Sequence, residues 1–340
     1  MFEVALVGLG YFSQFHMNAW QANPDATLSA VCDPTPGLAT EATALTGAIG
    51  YRDSEQMFRD TDPDIVDLVV PPSAQAKLIR MALRRDRLII CQKPFCTSLE
   101  EAKAITAEAE AAGATLVIHE NFRFQPWYRT AKRFLHNGRM GQVYGAQFRL
   151  RPGDGRGADA YMARQPSFQQ MPRFLVQETA VHLIDTFRYL FGPVASIYAD
   201  LRQLNPAIAG EDAGHIVLTH DSGVQSVFDG NRLADSTAAD PRRTMGEMLV
   251  EGEGGALRLD GDGRLHYRAF GQKSVEPVLI TDRVDNSQFG GGCVAALINH
   301  AVTALSNATS PENTARDYLT VVELVEAAYR SAAEGRRIAV

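Results

Sequence analysis

The first 33 residues carry the pattern that most restricts what this chain can fold into. Phe2–Val7 is a short apolar run that breaks into Gly-Leu-Gly, an amphipathic stretch starts near Phe12, and a second apolar run ends at Asp33. This is the layout of a strand, a turn, a helix and a second parallel strand. Gly8 allows the tight turn, and Gly10 leaves room for a pyrophosphate at the helix N-terminus. The pattern predicts a βαβ unit that binds a dinucleotide.

Two details of this motif indicate which dinucleotide binds. Asp33 lies where a carboxylate accepts hydrogen bonds from the adenosine ribose, and it would repel a 2′-phosphate. No Arg or Lys occurs between Asp33 and Gly50 to bind such a phosphate. The third glycine of the usual G-x-G-x-x-G motif is Ser13, which is small enough to keep helix and strand close. We therefore expect NAD rather than NADP, bound by Gly8, Gly10, Tyr11, Phe12, Ser13 and Asp33.

Length and composition describe an ordinary globular protein with two cores. The chain has 340 residues, of which 45% are apolar and 21% are charged. The net charge of −7 argues against nucleic acid or a membrane as a partner. No run approaches the roughly 20 apolar residues of a membrane span, and the N-terminus lacks a basic leader. The four cysteines form no C-x-x-C pair, so we expect a reduced, cytoplasmic protein.

The N-terminal third alternates predicted strands and helices. Strands are expected at 65–70, 88–91 and 115–119, and helices at 39–46, at 74–85 and from a capping box at 98–101. This alternation predicts a doubly wound parallel sheet with helices on both faces. Ligands bind at the carboxyl ends of such strands. The residues expected to line that crevice, besides the glycine-rich turn and Asp33, are Pro71, Pro72, Lys93 and Asn121.

The pattern changes after residue 122. A helix at 126–137, a strand at 143–151, a polar loop at 152–173 and a helix at 174–190 are followed by six short alternating runs. These runs lie between 194 and 270 and predict an antiparallel sheet, and two helices near 287–306 and 313–334 end the chain. The sequence therefore predicts a dinucleotide-binding domain, 1–122, and an α+β domain for substrate binding and oligomerisation, 123–340. Its sheet is the expected contact of a homodimer or homotetramer.

Two groups of residues have the chemistry of a catalytic site. Lys93 follows a buried strand and precedes Pro94, which favours an extended backbone and lets the amine project from the strand edge. A lysine in a turn is usually a surface residue, but the position of Lys93 at the carboxyl end of a parallel strand favours the crevice instead.

Glu178, His182 and Asp185 are spaced i, i+4 and i+7 on one predicted helix, so they share a face. A histidine between carboxylates is a workable base, although a solvated helix face produces the same pattern. No metal is required, because no second histidine or thiolate accompanies them.

The chain resembles a known family on several motifs taken together. They are GLGYFS with Asp33, VVPPSAQ, CQKPF, NFRFQPWY, ETAVHLID and AAYRSAAEGRR. These motifs are similar to those of the glucose–fructose oxidoreductase / inositol dehydrogenase / MocA family of nicotinamide-dependent sugar and cyclitol dehydrogenases. The resemblance implies a Rossmann domain followed by a domain with a large, mostly antiparallel sheet. It also implies that Lys93 contacts substrate and nicotinamide, that His182 is the catalytic base, and that Glu178 and Asp185 are its neighbours.

Three positions depart from the family's motifs. Gln92 replaces the glutamate of its E-K-P motif, Glu178 replaces an aspartate, and Gln75 replaces a histidine after the Pro-Pro turn. With these changes the chain is most similar to a branch that oxidises aldoses at C1, the apiose dehydrogenases among them. The resemblance extends the cofactor-binding set to Pro71, Pro72, Gln75, Gln92 and Lys93.

A sugar or polyol site needs polar groups and an aromatic ring. The candidates, each of which could equally be exposed to solvent, are Asn121, Arg123, Trp127, Arg156, Tyr161, Arg164 and Gln170. The sequence hypothesis is an NAD-dependent dehydrogenase of a monosaccharide. The alternatives are a cyclitol or secondary-alcohol dehydrogenase that gives a ketone, and a dinucleotide-binding sensor without catalysis.

Overall fold

The computed structural model describes residues 1–340, and the chain divides into two compact units. The first unit comprises Met1–Asn121 and Val294–Val322, and the second comprises Phe122–Cys293 and Glu323–Val340. The predicted domains differ from these units in the segment Val294–Val322, which the sequence assigned to the second domain. An amphipathic pattern shows that a helix has a buried face, but it does not show which sheet that face covers.

The first unit is built on a parallel sheet. Its six strands lie in the order β3-β2-β1-β4-β5-β6. The strands are β1 (Phe2–Val7), β2 (Ala26–Cys32), β3 (Ile49–Tyr51), β4 (Ile65–Leu68), β5 (Leu88–Gln92) and β6 (Thr115–His119). The helices between them are α1 (Ser13–Gln21), α2 (Leu38–Thr46), α3 (Ser54–Asp60), α4 (Pro72–Ala82) and α5 (Leu99–Ala112). This strand order is that of a Rossmann fold, so the predicted fold class is confirmed.

The central strands are mostly apolar, and both of their faces are covered. All four residues of β4 and the first four of β5 are buried, as expected for a parallel sheet between helices. Two short elements, β3 and α3, were not predicted. β3 has three residues at the sheet edge and none is buried, so it has no alternating pattern to recognise. α3 begins at Ser54 and is capped by Asp53, whose carboxylate accepts the amide N–H of Glu55.

The second unit contains a nine-stranded sheet. Helices α6 (Pro126–His136) and α7 (Val181–Phe191) precede most of it. Its first eight strands are β7 (Val143–Leu150), β8 (Val194–Arg202), β9 (Ala213–His220), β10 (Gln225–Asn231), β11 (Gly246–Gly252), β12 (Gly255–Leu259), β13 (Leu265–Ala269) and β14 (Glu276–Val278). Helices α8 (Cys293–Ser306) and α9 (Ala315–Glu334) follow, and β15 (Ile338–Ala339) completes the sheet. The strand order is β14-β13-β12-β11-β7-β10-β9-β8-β15.

This sheet is mostly antiparallel, as predicted. The one parallel pair is β7 with β10, and the other neighbours pair antiparallel. Alternate residues such as Phe148, Ile216 and Phe228 are buried, whereas their neighbours along each strand are at least partly exposed. One face of the sheet is therefore apolar and packed, and the other is uncovered within the unit.

The predicted helix at 174–190 has two parts. Leu175–Ala180 is a π-helical turn, and regular α-helix starts at Val181. Glu211 holds the start of the segment, because its backbone and side-chain oxygens accept the amide N–H groups of Leu175 and Val176. The wider π turn changes the angle between Glu178 and His182, so the expected i, i+4 spacing does not apply to this pair. His182 and Asp185 both lie in α7 and keep the α-helical spacing.

One segment meets the length and hydropathy of a membrane span, contrary to the sequence prediction. It is Phe289–Ser306, and half of it is buried inside the protein. Alanine, glycine and cysteine supply much of its apolar character, which is why no long run of large apolar residues is visible in the sequence. Buried core helices meet the same requirement.

The indole of Trp20 makes a hydrogen bond whose contribution can be measured. Trp20 donates its N–H to the buried carboxylate of Asp67 over 2.7 Å, whereas Trp127 donates to the neutral amide oxygen of Gln125 over 2.6 Å. Hydrogen bonds to charged acceptors contribute about 1.5–3 kcal/mol, against about 0.5–1.5 kcal/mol for neutral ones. We expect Trp20→Phe to lower the free energy of unfolding by the larger amount and Trp127→Phe by the smaller. Urea denaturation followed by circular dichroism measures both, and equal losses would contradict the prediction.

Candidate active site

The glycine turn after β1 has the backbone that a pyrophosphate site requires. Gly8 has φ +93°, and a Cβ there would lie 2.2 Å from the carbonyl oxygen of Val69. Its N–H donates to the carbonyl of Cys32 at the end of β2, over 2.8 Å. A Cβ on Gly10, by contrast, would meet no atom within 4 Å. Gly8 is therefore required by the fold, whereas the space above Gly10 is open to a ligand.

Helix α1 and Asp33 provide the polar contacts of this site. No side chain caps the start of α1, so amide N–H groups and the positive end of the helix dipole are available to an anion. Ser13 is buried, and its hydroxyl donates to the carbonyl of Gly10. The Asp33 carboxylate accepts the amide N–H groups of Leu9 and Thr35, each over 2.8 Å, which fixes it at the end of β2. These residues fit NAD, with the diphosphate at the turn and the ribose at Asp33.

Burial also accounts for the chemistry of the neighbouring thiols. Burial, together with the negative charges of Asp33 and Asp53, raises the pKa of Cys32 to about 11. Burial likewise raises the pKa of Cys96 to about 12. All four cysteines are buried and free, so they act as small apolar side chains and not as nucleophiles.

The turn that carries Lys93 is held by Gln75. The Gln75 amide donates to the carbonyls of Gln92 and Pro94, over 2.7 and 3.0 Å, and its oxygen accepts the N–H of Cys96 over 2.7 Å. Gln75 is completely buried. The structure therefore places this predicted cofactor residue beneath the turn, where it fixes the backbone on both sides of Lys93. The Lys93–Pro94 peptide bond is cis.

A second buried chain of hydrogen bonds explains the glutamine at position 92. Asp67 accepts a hydrogen bond from Nδ1 of His16, over 2.8 Å. Nε2 of His16 then lies 3.2 Å from the amide nitrogen of Gln92, and the Gln92 oxygen accepts the N–H of Lys93 over 2.9 Å. A neutral histidine protonated at Nδ1 satisfies every step of this chain. A glutamate at 92 would set its negative charge against the Nε2 lone pair, so Gln92 and a neutral His16 are matched.

The other predicted residues of this unit lie at the surface or at the end of β6. Tyr11 and Pro71 are exposed, and Phe12 and Pro72 are partly buried. Asn121 is buried, and its side-chain oxygen has no hydrogen-bond partner in the protein. A buried acceptor without a partner is unusual, and a ligand hydroxyl would satisfy it.

In the second unit, His182 and Asp185 are held by consecutive residues of one turn. The His182 ring stacks on the ring of Phe122, with centroids 4.0 Å apart and planes inclined by 3°. Nε of Arg123 donates to Asp185 over 2.8 Å, and a second guanidinium nitrogen also donates to it. Asp185 is completely buried, and Glu178 is partly exposed. The structure therefore pairs two predicted substrate contacts, Arg123 and Asp185, with each other.

The loop predicted at 152–173 is folded around Arg232, a residue that the sequence analysis missed. The Arg232 guanidinium is buried and donates to Asp154, to the hydroxyl of Tyr161 and to Thr179, which follows Glu178 in the π turn. Although burial acts to lower it, Asp154 and Tyr161 raise the pKa of Arg232 above its ordinary value. Burial raises the pKa of Tyr161, whose hydroxyl donates to Asp154. These bonds tie the loop to the turn that carries Glu178.

The remaining loop candidates are less enclosed than Tyr161. Arg156 and Gln170 are exposed, and Arg164 is partly buried, 3.7 Å from Asp154. Nε of Arg156 donates to the carbonyl of Leu233. Trp127 is buried on α6. Substrate contact stays a prediction for all of them. The position of Arg232 directly after β10 was the one sequence signal for its role, and a lone arginine after a strand is too common to be decisive.

Comparisons with known proteins agree with this architecture. The model of an oxidoreductase family with an NAD-binding Rossmann fold, GFO/IDH/MocA, matches residues 2–120, and the model of the GFO/IDH/MocA C-terminal domain matches residues 128–258. The chain is 34% identical to a D-apiose dehydrogenase of Paraburkholderia graminis, over 99% of this chain and 89% of that protein. It is 31% identical to one of Rhizobium rhizogenes, over 98% and 96%. An oxidoreductase from Agrobacterium radiobacter, solved with NAD+, L-tartaric acid and magnesium, has a TM-score of 0.89, with 30% identity over 99% and 98% of the two chains.

The role of Asp33 can be tested by binding alone. Replacing its carboxylate by an amide removes charge-assisted hydrogen bonds to the ribose and the repulsion of a 2′-phosphate. We expect Asp33→Asn to weaken NADH binding about tenfold, which corresponds to a loss of about 1.4 kcal/mol of binding free energy. The ratio of NADH affinity to NADPH affinity should also fall. Fluorescence titration of NADH and NADPH measures both effects. The control Asp60→Asn, an exposed carboxylate of the same unit, should bind like the wild type, and unchanged NADH affinity in Asp33→Asn would contradict the assignment.

Proposed function

Since this chain belongs to the GFO/IDH/MocA family of NAD-binding oxidoreductases, we propose that it oxidises an aldose at C1 to the lactone. The substrate would be a pentose or a branched sugar such as apiose. The observation that carries this proposal is the similarity over nearly the whole chain to two proteins named D-apiose dehydrogenase. Bound NAD would supply the hydride acceptor for this oxidation.

We propose that Lys93 and His182 act on the same substrate hydroxyl. His182 would take the hydroxyl proton as the C–H bond breaks, and Nζ of Lys93 would stabilise the negative charge that develops on that oxygen. The bonds that fix the backbone of Lys93 and the plane of His182 support these roles, because a catalytic group must be held in the productive orientation. Glu178, Asn121 and the loop residues Arg156 and Arg164 are the proposed contacts to the other sugar hydroxyls.

Cellular location and assembly belong to the same proposal. Four free, buried cysteines fit a reducing cytoplasm. The uncovered face of the nine-stranded sheet would form the contact between copies of the chain, as a dimer or a tetramer. Val227 and Leu249 lie on this face near its centre, and the ion pairs Arg149–Asp229 and Arg258–Glu247 flank them. An apolar centre with charged surroundings is typical of such interfaces.

The catalytic proposal is tested by a panel of aldoses with NAD, followed by the appearance of NADH. We expect turnover with at least one pentose, a fall in kcat of about 10²–10⁴-fold in His182→Ala, and a fall of about 10²–10³-fold in Lys93→Ala. The exposed residues His136 and Lys77 supply the matched controls His136→Ala and Lys77→Ala. Near-normal turnover in both Lys93→Ala and His182→Ala would contradict the proposed mechanism.

The product of the same reaction separates the alternatives. A lactone, which hydrolyses to an aldonic acid, supports oxidation at C1, whereas a ketone would identify a cyclitol or secondary-alcohol dehydrogenase. NADH binding without turnover of any sugar or cyclitol would indicate a sensor without catalysis.

A substitution in the proposed interface should change the oligomeric state of the protein. We expect the wild-type protein to sediment as a dimer or tetramer and Val227→Glu to sediment as a monomer, because the interface would bury an unpaired carboxylate. Leu45→Glu introduces the same charge in place of an exposed apolar residue of α2 and should leave the mass unchanged. Sedimentation velocity measures all three, and an oligomeric Val227→Glu would exclude this face.

A further inference from the structure

The second unit opens with a short 3₁₀ turn that lies against helix α7. The turn is Phe122–Phe124, and all three of its side chains are buried. Phe122 covers one face of the His182 imidazole in a parallel stack, with ring centroids 4.0 Å apart. Phe124 lies instead under the guanidinium of Arg129, 4.1 Å from its centre. Neighbouring aromatic residues of one turn thus contact different partners.

The middle residue of the turn holds the next residue on the same face of α7. Arg123 makes a two-pronged ion pair with Asp185, three residues beyond His182. The Arg123 guanidinium also lies over the ring of Tyr189, 5.4 Å from its centroid. Because both charges are buried and hydrogen-bonded, this pair is rigid. Arg188 also lies 3.9 Å from Asp185, but the two-pronged hydrogen bonds come from Arg123.

These two contacts control different degrees of freedom of the histidine. The ion pair fixes the rotation of α7 about its axis and its position along that axis relative to the turn. The final torsion of a histidine side chain has broad minima, so the helix alone does not determine the plane of the ring. A parallel aromatic neighbour restricts that plane. It also suits both states of a base, since neutral rings stack and a protonated imidazole is attracted to the face of an aromatic ring.

We infer that Phe122 and Arg123 are positioning residues that orient His182, and that Arg123 and Asp185 do not bind the sugar. This inference rests on the proposed role of His182 as the base. A misaligned base loses rate without losing substrate affinity, because the alignment matters in the transition state and not in the bound ground state. The contacts therefore predict an effect on kcat and not on KM.

The kinetic experiment compares the two phenylalanines of the turn. We expect Phe122→Leu to lower kcat for the sugar about tenfold or more, with KM within about twofold of the wild type. Phe124→Leu removes a buried ring of the same size from the same turn and should keep the wild-type kcat. A wild-type kcat in Phe122→Leu, or equal losses in the two variants, would overturn the inference.

A second variant tests the assignment of Arg123. Arg123→Lys keeps the positive charge but cannot make the two-pronged contact. A lower kcat with unchanged KM supports a positioning role. A raised KM with unchanged kcat would instead make Arg123 a sugar contact and contradict the inference.

A spectroscopic measurement separates failure of this inference from failure of the proposed function. The chain has eight histidines, so selective ¹³C labelling gives a simple NMR spectrum in which His182→Gln identifies the His182 signal. The Phe122 ring current should shift this signal upfield in the wild type and in Phe124→Leu, and the shift should disappear in Phe122→Leu. If the wild-type protein turns over no sugar, this signal still reports the orientation of His182. An unshifted wild-type signal would overturn the inference, whatever the activity.

Discussion

The close approach of β1 to the loop after β4 is the constraint on which the nucleotide site depends. At Gly8 the backbone turns with positive φ so near the carbonyl of Val69 that no side chain fits between them. The N–H of Gly8 also donates to the carbonyl of Cys32, so the turn, the start of α1 and the end of β2 lie close together. Leu9 can then donate its N–H to Asp33, and the open space over Gly10 faces the uncapped helix start. The backbone at Gly8 thus helps to position both halves of the predicted dinucleotide site.

The buried polar network around the lysine turn accommodates Gln92 in place of the glutamate of the family motif. Gln75 binds the backbone around Lys93, and the chain from Asp67 through His16 to Gln92 ends on the Lys93 amide. Each hydrogen bond along this chain joins one donor to one acceptor when His16 is neutral, whereas the second carboxylate oxygen of Asp67 has no partner within the protein. Hydrogen bonds in a buried network restrain the groups that they join. The change from glutamate to glutamine is therefore compatible with an ordered lysine turn and needs no loss of catalysis to explain it.

In the second unit, buried arginines and not an amide–imidazole network hold the polar groups in place. Two buried arginines connect turns and loops to the segment 175–191. Arg123 does so through its ion pair with Asp185. Arg232 pairs with Asp154 and donates a hydrogen bond to Thr179. Each guanidinium has several donors in a fixed plane, so one side chain can hold two or three elements at once. Arg232 fixes the turn that carries Glu178, and Arg123 fixes the helix that carries His182. Glu178 and His182 thus lie on backbone that buried arginines hold in place.

The sequence by itself determined the elements whose pattern is local. The glycine turn, the acid at the end of β2, the alternation of strands and helices and the alternating runs of the second sheet were all predicted, and the comparisons confirm the family that the motifs suggested. Residues with roles that depend on a distant partner were not predictable. Nothing local shows that Gln75 lies under the lysine turn, that Arg123 pairs with Asp185, or that a π turn shifts Glu178 relative to His182. Only tertiary structure decides these, because a buried polar side chain takes its role from the groups packed around it, and those groups come from residues far away in the chain.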